Sequence, residues 1–425
     1  MNNNITFIRY KDQVVITYKN SSYWIKTNIN KAKYLSNEDI YEILGKYDNK
    51  CKCEEKRINS IYWAVTRKCN MECQFCTMES GPKVSTINDL KIDDIENILI
   101  PQIQKMHPKK LIITGGEPLV RKDILYILKM LSQKISKEKI ILETNALLLN
   151  DELLSDICRY VGCVEVSIEH IVNNKIWEDK LDLLWKLVIA KNTYLRFSFV
   201  ADASNYKNIE YVLDYSRKYN AELILRYLAP LGKGESLSDE LFLSLMDRLL
   251  LQKRIGEYIL DKHLENSFYT NLLFTDYSIK THCSAMGKTM GILPNGDMSL
   301  CINFKESHFC FANLKLDSYK EVQKRWNNLI EKTKNLFCVD SKEMCKNCEY
   351  RYFCTGICAA SYQSNCNHYI NVECRFRRII LNYRLFEYNT NNSNRNNICK
   401  YIDYITEVIE KEKENGSNDI YDRKM

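Results

Sequence analysis

Hydrophobic and polar positions alternate in two ways along the chain. Residues 1–57 begin with two alternating segments, "ITFIRY" and "QVVITYK", followed by "SSYWIKT" and the helix-like "NEDIYEILGKY". A period of two is typical of strands with one buried face, whereas apolar residues three to four apart indicate an amphipathic helix. The pattern therefore predicts a small β-hairpin unit with a helix.

Between residues 58 and 236 short apolar runs alternate with amphipathic stretches. The predicted strands begin near residues 61, 110, 139, 164, 194 and 222, and the helix-like stretches cover 88–106, 121–136, 151–160, 174–191 and 206–219. Each connection is long enough for a right-handed crossover, which favours parallel pairing. We therefore expect an α/β fold whose six parallel strands form a partial (β/α)6 barrel.

The rest of the chain divides into three parts. Residues 237–280 begin with a predicted amphipathic helix at 237–262, 281–385 are rich in cysteine with weak periodicity, and 386–425 hold an asparagine-rich linker and a helix near 398–413. The first 30 residues lack the pattern of a signal peptide, and no apolar run has the length of a membrane span. We expect a soluble, cytoplasmic protein.

Charge is less informative than the cysteine count. The formal net charge of +7 comes from scattered lysines and indicates no concentrated basic and aromatic face for nucleic acid. Eighteen cysteines are harder to explain as core residues. Disulfides do not persist in a reducing cytosol, so clustered thiols there usually bind metals or take part in chemistry.

Three of these cysteines lie in one loop, "RKCNMECQFC", with the spacing C-x3-C-x2-C. Cys69, Cys73 and Cys76 follow the first strand of the predicted barrel, at the end where this architecture places its active-site loops. Three thiolates can hold three irons of a 4Fe–4S cube and leave the fourth iron open. The alternative is a zinc site completed by a distant residue, although zinc loops more often supply C-x2-C pairs.

Polar and glycine residues also follow the next three strands. They are Gly115, Gly116 and Glu117 of "TGGEP", Asn145 of "ETNALLL", and Ser167 and Glu169 of "VSIEH". Glycines let a backbone approach a ligand closely, and the carboxyl ends of parallel strands meet at one edge. We expect these groups to converge on the cysteine loop.

The loop, including Phe75, resembles the cluster-binding motif of the radical S-adenosylmethionine (SAM) enzymes, and "TGGEP" is similar to their GGE motif. Two positions depart from the family pattern: Ala146 replaces a glycine, and Glu169 stands where aspartate is commoner. The resemblance implies that Cys69, Cys73 and Cys76 hold a catalytic [4Fe–4S] cluster completed by SAM, whose reductive cleavage gives a 5′-deoxyadenosyl radical. It also implies an electron donor such as flavodoxin or ferredoxin, and SAM contacts from the strand-end residues Gly115, Gly116, Glu117, Asn145, Ser167 and Glu169.

A second group of cysteines lies at 281–385. "CKNCEYRYFCTGIC" is preceded by Cys283 and Cys301 and followed by Cys374, a layout that resembles the SPASM domain of radical SAM enzymes that modify peptides. That resemblance implies two auxiliary [4Fe–4S] clusters, the first held by Cys345, Cys348, Cys354 and Cys374 and the second by Cys283, Cys301 and Cys358. The alternative is a pair of structural zinc sites.

The second auxiliary set has only three thiols. Either Cys310 or Cys338 completes it, or one iron stays open and binds a cysteine thiolate of the substrate, since thiolate is a preferred soft ligand. The sequence leaves both alternatives open.

The resemblance implies a maturase that modifies a ribosomally made precursor peptide, and we expect a thioether cross-link from a cysteine. Formylglycine formation of the sulfatase-maturase type is disfavoured, because Ile302 and Asn303 stand where that subgroup has an aspartate. Quinone-cofactor maturation and a zinc- or cluster-bearing peptide-binding scaffold remain alternatives; neither nucleic acid nor a membrane is an expected partner. Residues 1–57 are either a shortened leader-peptide recognition element or a simple hairpin decoration.

Overall fold

The computed structural model describes residues 4–21, 23–46, 58–169, 175–274, 278–305, 309–364 and 366–414. The end of the predicted N-terminal unit, residues 47–57, lies outside the described residues, and so do Cys51 and Cys53 within it.

The N-terminal strands form an antiparallel sheet of three. They are β1 (Ile5–Tyr10), β2 (Gln13–Tyr18) and β3 (Trp24–Asn28), with β2 in the middle. Helix α1 (Asn37–Gly45) follows and begins with a capping box between Ser36 and Asp39. Val14 and Ile16 on one face of β2 pack with Ile40 and Leu44 of this helix. The predicted hairpin and helix are therefore present, and a third strand extends them.

A nine-stranded sheet contains all six predicted parallel strands, which confirms the α/β fold class. These are β4 (Ser60–Ala64), β5 (Lys110–Thr114), β6 (Ile140–Thr144), β7 (Cys163–Ser167), β8 (Tyr194–Ala201) and β9 (Glu222–Tyr227), paired in chain order. Three short strands that the sequence did not predict extend the sheet beyond β4. They are β10 (Thr289–Ile292), parallel to β4, and the antiparallel β11 (Asp297–Ser299) and β12 (Cys310–Asn313).

Helices of seven or more residues are α1 and then α2 (Ile100–Met106), α3 (Ile124–Lys134), α4 (Asp151–Tyr160), α5 (Lys175–Ala190), α6 (Ile209–Lys218), α7 (Leu245–Asp261), α8 (Tyr319–Lys332), α9 (Asn367–Asn382) and α10 (Asn394–Glu414). A π-helical turn, Ile95–Leu99, leads into α2. Helix α7 begins later than predicted because Ser244 and Asp247 form its capping box. None of the helices in the described ranges is long and apolar enough to cross a membrane.

The chain divides into two compact units. The described residues of Glu55–Phe242 and Ser284–Thr333 form one, here called the barrel unit, which holds the nine-stranded sheet. Those of Met1–Glu54, Leu243–Cys283 and Lys334–Met425 form the other, here called the terminal unit. Three separate stretches of chain therefore build the terminal unit.

Candidate active site and cysteine clusters

The three-cysteine loop begins directly after β4 and is closed at its base. Lys68 forms a parallel bridge with Gly81, and the Cys69 amide donates to the Gly81 carbonyl at 3.1 Å. Inside the loop the Cys69 sulfur accepts from the Met71 amide and the Cys76 sulfur from the Ser80 amide, each at 3.4 Å. Backbone donors thus already point at two of the three sulfurs, as they do around thiolate ligands.

The thiols lie close enough to affect one another. Burial, followed by the charges of Cys76 and Cys69, raises the pKa of the Cys73 thiol to about 11, and burial also raises that of Cys69. Without a bound cation these groups are therefore neutral at pH 7, whereas iron binding requires thiolates and would provide the compensating charge. Three soft sulfur donors in one loop fit a 4Fe–4S cube with one open iron.

No three His, Cys, Asp or Glu side chains of the described residues are gathered tightly enough to hold one metal ion. In a 4Fe–4S cube each thiolate binds a different iron, so its ligands need not crowd one centre.

The loop after β5 packs directly on the segment that leads into the cysteine loop. The Gly116 amide donates to the Thr66 carbonyl at 2.8 Å, and the Glu117 amide donates to the Lys68 carbonyl at 3.0 Å. A Cβ on Gly116 would lie 2.3 Å from the Lys68 oxygen, and one on Gly115, at φ +139°, would lie 2.2 Å from the Thr66 oxygen. Only glycine permits this approach of the two loops.

Glu117 lies entirely inside the protein, at 0% exposure. One carboxylate oxygen accepts from the Leu119 amide (3.0 Å) and the Thr144 hydroxyl (2.8 Å), and the other from the Asn145 amide (2.7 Å). Burial raises the pKa of Glu117, and these hydrogen bonds oppose the increase. The carboxylate therefore ties the end of β6 to the end of β5, and its expected contact with SAM stays a prediction.

Asn145 reaches back to the cysteine loop. Its Nδ2 donates to Asn70 Oδ1 at 2.8 Å and lies 3.9 Å from the Cys69 sulfur. The following residue, Ala146, has φ +60°, the left-handed conformation that glycine usually supplies. Ala146 therefore adopts a conformation that glycine, the usual residue of the family pattern here, reaches more readily.

At the ends of β7 and β8, Ser167 is half-buried and pairs with Ser198 across the sheet. Glu169 Oε1 accepts from the Val200 amide at 2.8 Å, and burial raises the pKa of Glu169 to about 7. Its charge also contributes to the raised pKa of Cys73, so the two groups are neighbours.

A cavity of about 330 Å³ opens beside the cysteine loop. Its lining includes Cys73 and Phe75 from the loop, Asp202 and Ser204 after β8, and Leu228 after β9. Sequence reasoning missed the last three, although "ADAS" after the fifth parallel strand repeats the pattern of polar residues at a strand end. The cavity lies where this architecture binds its ligands.

The sequence analysis also did not identify a polar network formed by side chains of β6, β7, β8 and β9. Glu165 accepts from Arg226 at 3.1 Å and from Arg196 at 3.4 Å. Glu143 is paired with Glu165 across β6 and β7, and burial together with the Glu165 charge raises its pKa to about 7. Charged residues inside otherwise apolar strands were the available signal.

In the terminal unit four predicted cluster ligands come together. Burial, followed by the charges of Cys354 and Cys345, raises the pKa of Cys374 to about 12, and Cys348 adds to the increase. Burial raises the pKa of Cys345 to about 11. Four mutually close thiols, of which Cys345 is buried and the other three are half-buried, fit a fully ligated cluster.

The remaining predicted set is divided between the units. Cys283 and Cys358 belong to the terminal unit and Cys301 to the barrel unit. Cys338 is bridged to His282, the residue before Cys283, whereas Cys310 pairs in register with Ser299, two residues before Cys301. Each possible fourth thiol thus lies near a different member of the set, and both alternatives remain.

Comparison with known proteins agrees with this geometry. The family model described as the Radical SAM superfamily matches residues 63–246. GTP 3′,8-cyclase of Peptoclostridium acidaminophilum is 34% identical over 97 residues, which are 23% of this chain and only 30% of that enzyme.

Two solved structures share the fold over most of the chain. Native anSMEcpe with bound AdoMet has a TM-score of 0.59 at 16% identity and covers 82% of this chain and 99% of its own; the same protein has also been solved with a Cp18Cys peptide. Streptococcus suis SuiB bound to S-adenosylmethionine has a TM-score of 0.54 at 16% identity and covers 85% and 96%. Residues 63–246 therefore match the Radical SAM superfamily model within a fold that these two structures share.

Proposed function

We propose that the protein is a radical SAM maturase of a ribosomally made peptide. The observation that carries this proposal is the loop of Cys69, Cys73 and Cys76, held at the carboxyl edge of the parallel sheet beside an open cavity. When bound, a cluster in this loop would supply the electron that splits SAM and so the radical that abstracts hydrogen from a substrate.

The neighbouring residues would bind and orient SAM. The amides and small surfaces of Gly115 and Gly116 lie against the cysteine loop, and Asn145 is already fixed beside Cys69 by Asn70. Glu117 holds two strand ends in register, which keeps these groups in one arrangement before any ligand binds. Ser167 and Glu169 lie at the next strand end and would contact the ribose.

A peptide substrate is supported by two features. Both solved structures with the same fold contain bound S-adenosylmethionine, and one of these proteins has also been solved with a Cp18Cys peptide. The chain also has a second group of four close thiols, at Cys345, Cys348, Cys354 and Cys374, which fits the auxiliary clusters of a SPASM domain.

The free edge of β3 is the proposed site for a leader segment. The Ile29 amide bonds to the Asp12 carbonyl, so Ile25 and Thr27 continue the bonded pairs with β2, and the backbone groups of Trp24, Lys26 and Asn28 point away from it. No strand of the described residues pairs with this edge. Tyr23 and Trp24, 57% and 38% exposed, would offer apolar contacts to an added strand.

The bond we propose is a thioether from a cysteine sulfur to a carbon of another residue. Joining S–H and C–H removes two hydrogens: one leaves as an atom to the adenosyl radical, and the other leaves as a proton and one electron. The electron would pass to an auxiliary cluster, and the proton needs a base. Asp202, which lines the cavity, or Glu169, which neighbours Cys73, would serve as that base.

A nucleotide cyclase is the second candidate, because curated relatives carry the name GTP 3′,8-cyclase. The similarity covers only 30% of that enzyme's length. It therefore supports a shared domain but does not identify the substrate.

The test is anaerobic reconstitution with iron and sulfide, followed by dithionite and SAM. We expect release of methionine and 5′-deoxyadenosine, about eight to twelve irons per chain, and a loss of two hydrogens from a cysteine-containing peptide encoded next to the gene. Cys73→Ala should abolish SAM cleavage.

Cys158→Ala is the matched control, since Cys158 is fully buried away from the loop and should leave cleavage unchanged. About four irons per chain would contradict the auxiliary clusters. Consumption of GTP in place of a peptide would favour the cyclase.

A further inference from the structure

We propose that Lys342 and Arg378 form a cationic cradle that raises the reduction potential of the cluster held by Cys345, Cys348, Cys354 and Cys374. This cluster would thereby be the electron acceptor of the reaction. The inference rests on the proposed auxiliary cluster and concerns residues to which nothing in the family resemblance assigns a role.

Arg378 bonds directly to a ligand sulfur. Its Nη2 donates to Cys348 Sγ at 3.7 Å from helix α9, one turn beyond Cys374. The guanidinium of an arginine stays charged at any ordinary pH. Hydrogen bonds to cluster sulfurs are one of the features that set reduction potential.

Lys342 lies beside another of these thiols, that of Cys345, and is only 2% exposed. Its Nζ donates to the Ile357 carbonyl at 3.1 Å. A Cβ placed on Gly356 would contact both Lys342 Nζ (3.2 Å) and Cys345 Sγ (3.3 Å), so both atoms border the same small space beside Gly356.

Neither cation forms an ion pair with a carboxylate within the part of the chain that the structure describes, and the cysteine thiols are the groups that both cations approach. A lysine that is almost completely buried is costly unless an opposite charge compensates it. Cluster thiolates would provide that charge. The position of Lys342 is thus independent support for an anionic group at this site.

A third nearby cation, Arg377, is different because Glu373, which also pairs with Arg248, offsets part of its charge. It bonds to the carbonyls of Cys354 and Gly356 but also to Glu373 Oε1 at 2.5 Å. Its contribution to the local field is therefore smaller than that of Lys342 or Arg378.

The direction of the effect follows from charge. Reduction adds one negative charge to a cluster whose surroundings include the apolar residues Tyr350 and Phe353, against which Cys348 and Cys354 pack. Apolar surroundings disfavour that added charge, whereas two fixed cations stabilise the reduced state more than the oxidised state. The cradle therefore raises the potential.

The experiment is a potentiometric titration followed by electron paramagnetic resonance. It uses a full-length background with Cys69, Cys73 and Cys76 changed to alanine, so that only auxiliary signals remain. We expect Arg378→Gln and Lys342→Met each to lower one midpoint potential, and the double variant to lower it by at least about 59 mV, a tenfold change in the one-electron equilibrium constant. The other auxiliary signal is the internal reference.

Arg378→Lys retains the charge and should restore most of the potential. Arg375→Gln, on the same helix but paired with Glu412 at 2.7 Å, should change nothing. An unchanged midpoint in the double variant with full iron content would overturn the inference. If one single variant fails to assemble the cluster, the inference is tested by the midpoint potentials of the other single variant and of Arg378→Lys.

Failure of the proposed function gives a different result. In that case Cys345→Ala with Cys374→Ala would remove no iron from the background protein, and there would be no signal to titrate.

Discussion

Individual residues differ in how far sequence predicts their role. The spacing of Cys69, Cys73 and Cys76 indicated three thiols in one loop, and the structure has these thiols close together. Sequence was informative here because the positions of ligands from one short loop depend mainly on local spacing. The inward orientation of Glu117 could not be predicted in this way. It depends on donors from Leu119, Thr144 and Asn145, which only the pairing of β5 with β6 brings together.

Ala146 gives a test at this scale. An alanine at φ +60° carries about 1–2 kcal/mol of strain, and glycine removes it while adding about 0.5–1 kcal/mol of unfolded-state entropy. We expect Ala146→Gly to raise the free energy of unfolding by up to about 1 kcal/mol, measured by chemical denaturation.

Ala146→Val is the companion variant at the same site and should destabilise the protein, because β-branched residues avoid positive φ. Equal stability of all three proteins would show that the loop relaxes around this position.

At the scale of elements, strand order was more predictable than strand number. The six parallel strands lie within about two residues of their predicted starts, since long apolar runs between amphipathic helices leave few alternatives. Strands β10–β12 were missed because three or four residues are too few to show a period. The amphipathic helix α8, Tyr319–Lys332, was not predicted, because the interpretation of residues 281–385 relied on their cysteines.

The free edge of β3 can be tested with proline. Lys26→Pro removes an amide that points away from β2, so the sheet should survive while strand addition is blocked. We expect at least tenfold weaker binding of a fluorescent leader peptide, measured by anisotropy.

Arg9→Pro is the matched control, because its amide points outward from the opposite edge strand β1, and it should bind the leader normally. Lys26→Ala separates the loss of the amide from the loss of the side-chain bond to the Phe386 carbonyl. Equal weakening by both proline variants would contradict binding at β3.

At the scale of the whole chain, the N-terminal sheet has a structural role that its sequence did not indicate. Ile8 and Val15 are fully buried with Tyr350 and Phe353, and Cys348 and Cys354 pack against the same cluster. Trp24 makes an edge contact with Phe353 at 5.2 Å between ring centres. The sheet therefore forms part of the apolar shell of the proposed auxiliary cluster, whatever else its edge binds.

Deleting residues 1–46 should consequently expose Cys348 and Cys354 to solvent. We expect loss of about four irons per chain, measured after reconstitution, with SAM cleavage retained because Cys69, Cys73 and Cys76 lie in the barrel unit.

Neighbouring valines on β2 provide the control for this deletion. Val15→Ala, on the face toward Tyr350, should speed the loss of iron to a chelator, whereas Val14→Ala, on the face toward α1, should not. Full iron retention in the deletion protein would show that the shell is dispensable.

The division of the terminal unit into three stretches has a consequence for biosynthesis. Ile8 and Val15 leave the ribosome more than 300 residues before Tyr350 and Phe353, a delay of roughly 20–70 s at ordinary elongation rates. During that time the apolar face of the first sheet has no native partner, although Cys69, Cys73 and Cys76 are synthesised early in the same interval. We therefore expect this apolar face to bind a chaperone during translation. The proposed cluster of the three-cysteine loop can be inserted before the cysteines of the proposed auxiliary clusters are synthesised.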